Sequence, residues 1–154
     1  MRLSASRGGL LAFVLLIVMV GAAFPQRAAA QWRAVTLVGA RFGPPLRAGF
    51  AVGVAYGNRS RIAEFGGPIV LAEAGLGGGR LSAGYFLAFP FVSGMELLGS
   101  AVRTWGSPLN ADPKVTLIGG ELRAIGFAVN VGLGAFRPVG EGETRYYLNI
   151  GLGI

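Results

Sequence analysis

The chain contains no cysteine and no histidine, and after its first 30 residues it has no long apolar run. Without cysteine, an exported domain has no disulfide to brace it. Without histidine, Ser82, Ser93 and Ser100 lack the base that usually activates a nucleophile. The sequence also shows no cluster of metal-ligating residues. We therefore predict a non-enzymatic protein that binds no metal and no cofactor.

The first 30 residues have the features of a signal peptide. Arg2 and Arg7 precede an uninterrupted apolar run over 10–20, and three alanines at 28–30 offer a small-residue cleavage site. The apolar stretch 10–24 is 15 residues long, which is shorter than the roughly 20 residues of an uncleaved membrane helix. We expect a signal peptide at 1–30 and a single domain at 31–154.

Glycine is abundant, with 27 residues, and hydrophobic residues make up 53% of the chain. Glycine or proline interrupts every helical window after residue 30, so long helices are not expected. Removing the three arginines of the first 30 residues from the 14 cations leaves 11 cations against 7 acids. This mild excess lacks the clustered basic and aromatic residues of a nucleic-acid interface, and no nucleic-acid partner is predicted.

A two-residue alternation runs through the rest of the chain. Residues 48–57, AGFAVGVAYG, place Phe50, Val52, Val54 and Tyr56 on one face and only Gly and Ala on the other. Such a period is typical of β-strands. Ten residues of strand tilted by about 40° rise about 25 Å, the height of the apolar band of a membrane barrel. Eight such segments are predicted, at 32–42, 47–57, 68–77, 80–89, 94–105, 114–124, 127–137 and 145–154.

The charged residues of these segments fall mostly on the face opposite the bulky one. A water-soluble barrel would turn the bulky face inward and leave glycine, alanine and charges outside, which is an unusual surface. In a barrel that spans a membrane, the bulky face meets lipid, while small residues and paired charges fill the narrow interior. The many glycines on the inner face predict an interior that tolerates serine in their place. The ion pairs predicted for the lumen involve Arg33, Glu73, Glu96, Glu121 and Arg123.

The pattern as a whole resembles the small eight-stranded outer-membrane barrels of the outer-membrane protein A and X type. The closing RYYLNIGLGI at 145–154 is similar to the terminal signal that the barrel-assembly machinery reads in that family, although Ile154 stands where the family usually has an aromatic residue. The resemblance implies an all-β fold, an eight-stranded antiparallel up-and-down transmembrane β-barrel. It also implies export to the outer membrane of a Gram-negative-type envelope and a structural or envelope-integrity role.

Loop lengths bear on the function, and two alternatives to a structural role remain open. With both termini periplasmic, the outer connections near 43–46 and 77–79 are short, and the longest turn is expected at 57–67 on the periplasmic side. Long adhesive outer loops are missing, which argues against a host-binding role. The alternatives are an exported soluble lipocalin-like barrel that binds a hydrophobic ligand, and a narrow pore through the lumen.

The chain direction groups cations near the outer ends of the strands, where they face only Asp112, Glu141 and Glu143. Arginine binds phosphate in a bidentate way. We interpret these cations as a collar that pairs with the phosphates of outer-membrane lipids, with lipopolysaccharide as the candidate partner. A solvated rim that only serves solubility is the alternative. The collar is predicted to comprise Arg41, Arg47, Arg80, Arg103, Lys114, Arg137 and Arg145.

The signal-peptide assignment predicts that the mature protein begins at Gln31. N-terminal sequencing of the protein from the envelope fraction should therefore read QWRAV. A protein that still carries Met1 in that fraction would contradict the assignment.

Overall fold

The computed structural model describes residues 32–58, 64–90 and 93–153. The predicted signal peptide, Gln31 and Ile154 lie outside the described residues. No helix among the described residues has the length and apolar character needed to cross a membrane.

The described residues form eight antiparallel strands that close into one barrel, in the order of the chain. The predicted all-β, up-and-down, eight-stranded architecture is confirmed. The alternation of bulky and small residues fits the pleat of a strand, and Gly or Pro stands near most strand ends. The strands are β1 (Arg33–Gly43), β2 (Arg47–Gly57), β3 (Phe65–Gly75), β4 (Gly78–Phe89), β5 (Ser93–Thr104), β6 (Thr116–Gly126), β7 (Val129–Pro138) and β8 (Arg145–Gly153).

Several strand ends differ from the prediction by two or three residues, and two of the connections differ in kind. Phe127 was expected to begin the seventh strand, but Phe127 and Ala128 form the two-residue turn between β6 and β7, both with positive φ. This backbone suits a tight hairpin, whose twist matches that of the flanking strands. The longest connection is 105–115, between β5 and β6, and not the turn predicted at 57–67. That loop lies at the end of the barrel away from the start of β1, and we call this end the far end.

The strands are staggered by ten residues around the barrel. Residue-to-residue pairing runs from Phe42 to Ile150 and on through β7, β6, β5, β4 and β3 to Asn58. Asn58 follows Gly57, the partner of Arg33, so this path returns to β1 opposite position 32. With a rise of 3.3 Å per residue and strands 4.8 Å apart, this stagger corresponds to a tilt of about 40°. Each row of paired residues therefore climbs steeply around the barrel.

Closure of the barrel depends on a short seam between β1 and β8. These strands pair over four positions only, residues 39–42 with 150–153. Along its other edge, β1 pairs with β2 over all eleven of its residues. Residues 33–38 of β1 therefore extend past the end of β8. They lie at the end of the barrel where β1 begins, and we call this end the near end.

Bulky apolar residues cover the outside, as the alternation predicts, whereas the inside holds small and charged residues together with buried apolar residues. Along β8, Tyr146, Leu148, Ile150 and Leu152 are exposed, while Tyr147 and Asn149 are buried. Two apolar clusters fill the interior. The near cluster contains Leu37, Ala55, Ile69, Leu71, Phe86 and Leu98. The far cluster contains Leu46, Val102, Leu117, Phe136 and Tyr147. The register places the buried charged residues between these two clusters.

Glycines inside the barrel make room for the charged side chains. An added Cβ at Gly132 would overlap a carboxylate oxygen of Glu121 and lie 2.9 Å from Cγ of Arg123. An added Cβ at Gly120, on the outer wall, would make an ordinary contact of 3.5 Å with the Leu98 carbonyl oxygen. The expectation that serine is tolerated at interior glycines is therefore wrong at Gly132, because the interior is already packed.

This packing predicts that Gly132→Ala is destabilising and that Gly120→Ala is not. Overpacking at Gly132 should lower the free energy of unfolding by about 1–3 kcal/mol, because the ion pairs of Glu121 and Arg123 must shift. Gly120→Ala is the matched control on the same sheet. Urea unfolding in one detergent solution measures both, and equal stabilities would contradict the packed interior.

Candidate functional site

Six charged side chains meet in the middle of the lumen. They come from five strands and comprise three arginines and three glutamates, so the cluster carries no net charge. Each sits on the inward parity of its strand, which is why the alternation brings them together. We call them the lumen cluster: Arg41, Glu73, Arg80, Glu96, Glu121 and Arg123.

Arg123 is the centre of the lumen cluster, and its side chain is 0% exposed. Its Nη2 donates to Glu73 at 2.7 Å and its Nη1 donates to Glu96 at 3.3 Å. Its Nε donates to Glu121, two residues away on the same strand. One guanidinium thus bridges three carboxylates, which uses the fork of donors that distinguishes arginine from lysine.

Arg41 and Arg80 complete the charge balance. Nε of Arg41 lies 3.0 Å from Glu73, and its Nη1 donates to Oδ1 of Asn130 at 3.1 Å. Arg80 pairs with Glu121 and lies 3.5 Å from Glu73, while its guanidinium sits 5.6 Å from the centroid of the Phe136 ring. Each buried charge therefore has an opposite charge beside it, the condition under which buried ions are tolerated.

The lumen cluster and the two apolar clusters leave little empty space. A cavity of about 20 Å³ beside Leu37, Arg41, Glu96 and Asn130 has room for a single water molecule. Ser82 and Ser100 hydrogen-bond to each other across β4 and β5 at 2.8 Å. The middle of the barrel is thus a filled, charge-neutral layer.

The structure brings together four of the five residues predicted for lumen ion pairs, namely Glu73, Glu96, Glu121 and Arg123. Arg33 does not join them, because it lies in the exposed first part of β1 beyond the seam. Arg41 and Arg80 were assigned to the outer collar, and this assignment is wrong. The ten-residue stagger explains the error, because it puts these late β1 and early β4 positions level with the middle of β6.

The far mouth of the barrel is covered by the loop 105–115. The Leu109 amide donates to the Pro45 carbonyl at 3.1 Å, and Arg145 donates to the Asn110 carbonyl at 3.1 Å. Arg145 also forms an ion pair with Asp112 at 3.1 Å. Arg145 therefore fastens this loop to the start of β8, a role that the sequence pattern did not indicate.

The remaining predicted collar residues are Arg47, Arg103, Lys114 and Arg137. All four are exposed at the far end. Arg103 donates to Oγ1 of Thr116 at 2.9 Å. Among the described residues, none of these four cations forms an ion pair with a carboxylate. We call these four residues the rim cations.

Aromatic residues lie at both ends of the barrel. Trp32 and Tyr56 stack at the near end with ring centroids 5.3 Å apart, and Trp105 lies at the far end.

No group of three or more acidic residues that could hold a metal ion occurs within 32–58, 64–90 and 93–153. No known protein family, curated protein or solved structure matches the chain. The fold and the clusters described above therefore define the protein as a closed eight-stranded β-barrel with a filled, polar centre.

The lumen cluster predicts strong coupling between Arg123 and Glu96. Arg123→Gln should lower the free energy of unfolding by about 3–5 kcal/mol, because it leaves a surplus of buried carboxylates. The double variant Arg123→Gln/Glu96→Gln restores neutrality and should be less destabilised than the sum of the single variants. A double-mutant cycle by urea unfolding measures this coupling, and strict additivity would show that the two charges are independent.

Proposed function

We propose that the chain is a small outer-membrane β-barrel with a structural, non-enzymatic role in the envelope. The observation that carries the proposal is the inverted distribution of side chains. Large apolar residues cover the outer wall, as shown by Val54 and Leu133, which are 50% and 61% exposed. The buried charged residues point into the lumen. A continuous apolar wall of this kind is typical of a surface that meets lipid.

The strand geometry supports the same proposal. Strands of 9 to 12 residues tilted by about 40° rise about 25 Å, which matches the apolar thickness that outer-membrane barrels span. Closure gives each strand two neighbours, so unpaired strand edges are confined to the parts of β1 and β8 outside their four-residue seam. Trp32 and Tyr56 at one end and Trp105 at the other fit the aromatic girdles of a membrane barrel.

The filled interior argues against the two alternative functions. A lipocalin-like carrier needs an internal cavity for its ligand, and ligand pockets measure roughly 300–1,000 Å³. The lumen beside Arg41 and Glu96 holds a cavity of about 20 Å³. A pore would need a continuous passage, whereas the lumen cluster and both apolar clusters occupy the middle of the barrel. The structural role is therefore the better supported one.

The rim cations support a partnership with anionic lipid. We propose that they pair with the phosphates of lipids, including lipopolysaccharide, at the outer surface of the membrane. This orientation follows if both termini are periplasmic. A cation on the outer wall is inexpensive near an interface, where its long side chain can reach the headgroups. Delivery to that membrane would require export through the inner membrane and the barrel-assembly machinery.

The apolar outer wall predicts that an arginine substitution is destabilising halfway along a strand and nearly neutral at a turn. Val52 lies halfway along β2 on the outer wall and is 47% exposed, while Phe127 at the β6–β7 turn is 82% exposed. In a bilayer, Val52→Arg should reduce stability by about 2–4 kcal/mol, because it places a charge near the midplane. Phe127→Arg is the matched control and should be nearly neutral. Unfolding of both variants in lipid vesicles, compared with the parent, measures the difference.

Fractionation of cells tests the location directly. We expect the protein in the outer-membrane fraction, from which detergent extracts it. Its migration on gels should differ before and after heating. Full recovery in periplasmic fluid would contradict the proposal, as would a Val52→Arg variant as stable as Phe127→Arg. Either result would favour a water-soluble barrel.

A further inference from the structure

We infer that the outer wall carries a discrete site for one phosphorylated lipid, in which Arg103 binds the phosphate and a neighbouring groove holds an acyl chain. The inference rests on the proposed function and goes beyond it, because it replaces a diffuse rim by one defined site. At the far end, which faces the outer leaflet in that proposal, the ligand would be lipid A, the phosphorylated lipid part of lipopolysaccharide.

The groove runs over strands β3, β4 and β5 below the far rim. It is a shallow depression that is open to the outside, and Ala72, Leu81 and Ala101 contribute to its lining. These three residues are consecutive partners in the sheet register, so they form one row across the outer wall. The two alanines in that row leave the wall low at this point. The resulting depression is apolar and has the chemistry of an acyl-chain site.

Trp105 forms one wall of the groove because Gly79 makes room for it. An added Cβ at Gly79 would overlap the Trp105 ring. The indole therefore lies against the backbone of β4 and is held on the outer wall instead of turning into solvent. An aromatic ring in this position is also typical of the interface between lipid chains and headgroups.

Arg103 stands at the headgroup end of the groove. It pairs with Gly79 on one side and Thr116 on the other in the sheet register. The hydrogen bond from Nη1 to Thr116 holds the guanidinium along the wall at 2.9 Å and uses one of its five donors. Among the described residues, no carboxylate pairs with Arg103, and Asp112 in the loop 105–115 is paired with Arg145. Arg103 thus keeps donors for a phosphate, which arginine binds through two parallel hydrogen bonds.

The order of groups along the wall selects the kind of ligand. Apolar lining lies toward the middle of the barrel, Trp105 and Arg103 lie above it, and Lys114 follows in the loop at the rim. A molecule that fits this order has a hydrocarbon chain and a phosphate at its end. Charge complementarity therefore favours a lipid with net negative charge on its phosphate groups over a zwitterionic phospholipid. The outer-leaflet position favours lipid A over phosphatidylglycerol.

Binding measurements on the detergent-folded mature protein test the site. In a Trp32→Phe background, Trp105 is the only tryptophan and reports directly on the groove. Lipid A, phosphatidylglycerol and phosphatidylethanolamine are titrated separately, with Trp105 emission and native mass spectrometry as readouts. Arg103→Gln removes the guanidinium group that binds the phosphate. Ala101→Phe fills the groove that holds the acyl chain. Arg33→Gln and Ala124→Phe are matched controls, because they make the same changes at exposed positions away from the groove and the rim. Arg47→Gln, at another rim cation, separates a discrete site from a diffuse rim.

We expect lipid A to shift Trp105 emission and to bind more tightly than either phospholipid. Arg103→Gln and Ala101→Phe should each weaken lipid A binding roughly tenfold, while both controls should bind as the parent does. Equal losses in Arg103→Gln and Arg47→Gln, or equal affinity for phosphatidylglycerol, would overturn the discrete lipid A site. Absence of lipid A binding to a detergent-folded parent would overturn the site but not the proposed function. A parent that folds in water without detergent would overturn the proposed function.

Discussion

The structure depends on the neutralisation of six charges inside a cylinder of only eight strands. Arg123 bridges Glu73, Glu96 and Glu121, and Arg41 and Arg80 balance the remaining negative charge. These long side chains fill the narrow lumen, so their neighbours on the inner face must be small. Large apolar residues occupy the lumen only above and below the charged layer. The other large apolar residues lie on the outer wall.

The two apolar clusters stabilise the buried ion pairs by limiting the access of water to them. The near cluster around Ile69 and Phe86 and the far cluster around Phe136 and Leu117 separate the lumen cluster from both mouths. At the far mouth, the loop 105–115 adds a lid that Arg145 and Asp112 fasten to β8. Water therefore has limited access to the ion pairs, and attraction between charges is stronger in a medium of lower dielectric constant. The same arrangement makes removal of a single partner costly.

Alternation along the chain was enough to predict the fold and the facing of the strands. In β2 and β8 the contrast between bulky and small residues is so regular that only one assignment of outward-facing and inward-facing residues fits. The ends of strands were harder, because Phe127 continues the alternation although it lies in a turn. The site was predicted in part. Glu96 followed from parity. Glu73, Glu121 and Arg123 lie in segments with nearly balanced faces, and they followed from assigning the charged face to the interior by analogy with the other segments. Arg33, Arg41 and Arg80 were misplaced because height in a barrel also depends on stagger. Stagger is a property of pairing between strands, and no single segment encodes it.

The short seam between β1 and β8 has a consequence for how the molecule forms. Seven of the eight strand pairs join neighbours in sequence, so each can assemble as a hairpin with a small loss of loop entropy. The eighth joins residues 39–42 to residues 150–153, more than 100 positions away, through four pairs only. Contacts of such high sequence separation form slowly and late. Folding of this barrel therefore amounts to the sequential growth of a curved sheet followed by one ring-closing event. The same seam, with the fewest backbone contacts, is where the ring opens first on unfolding.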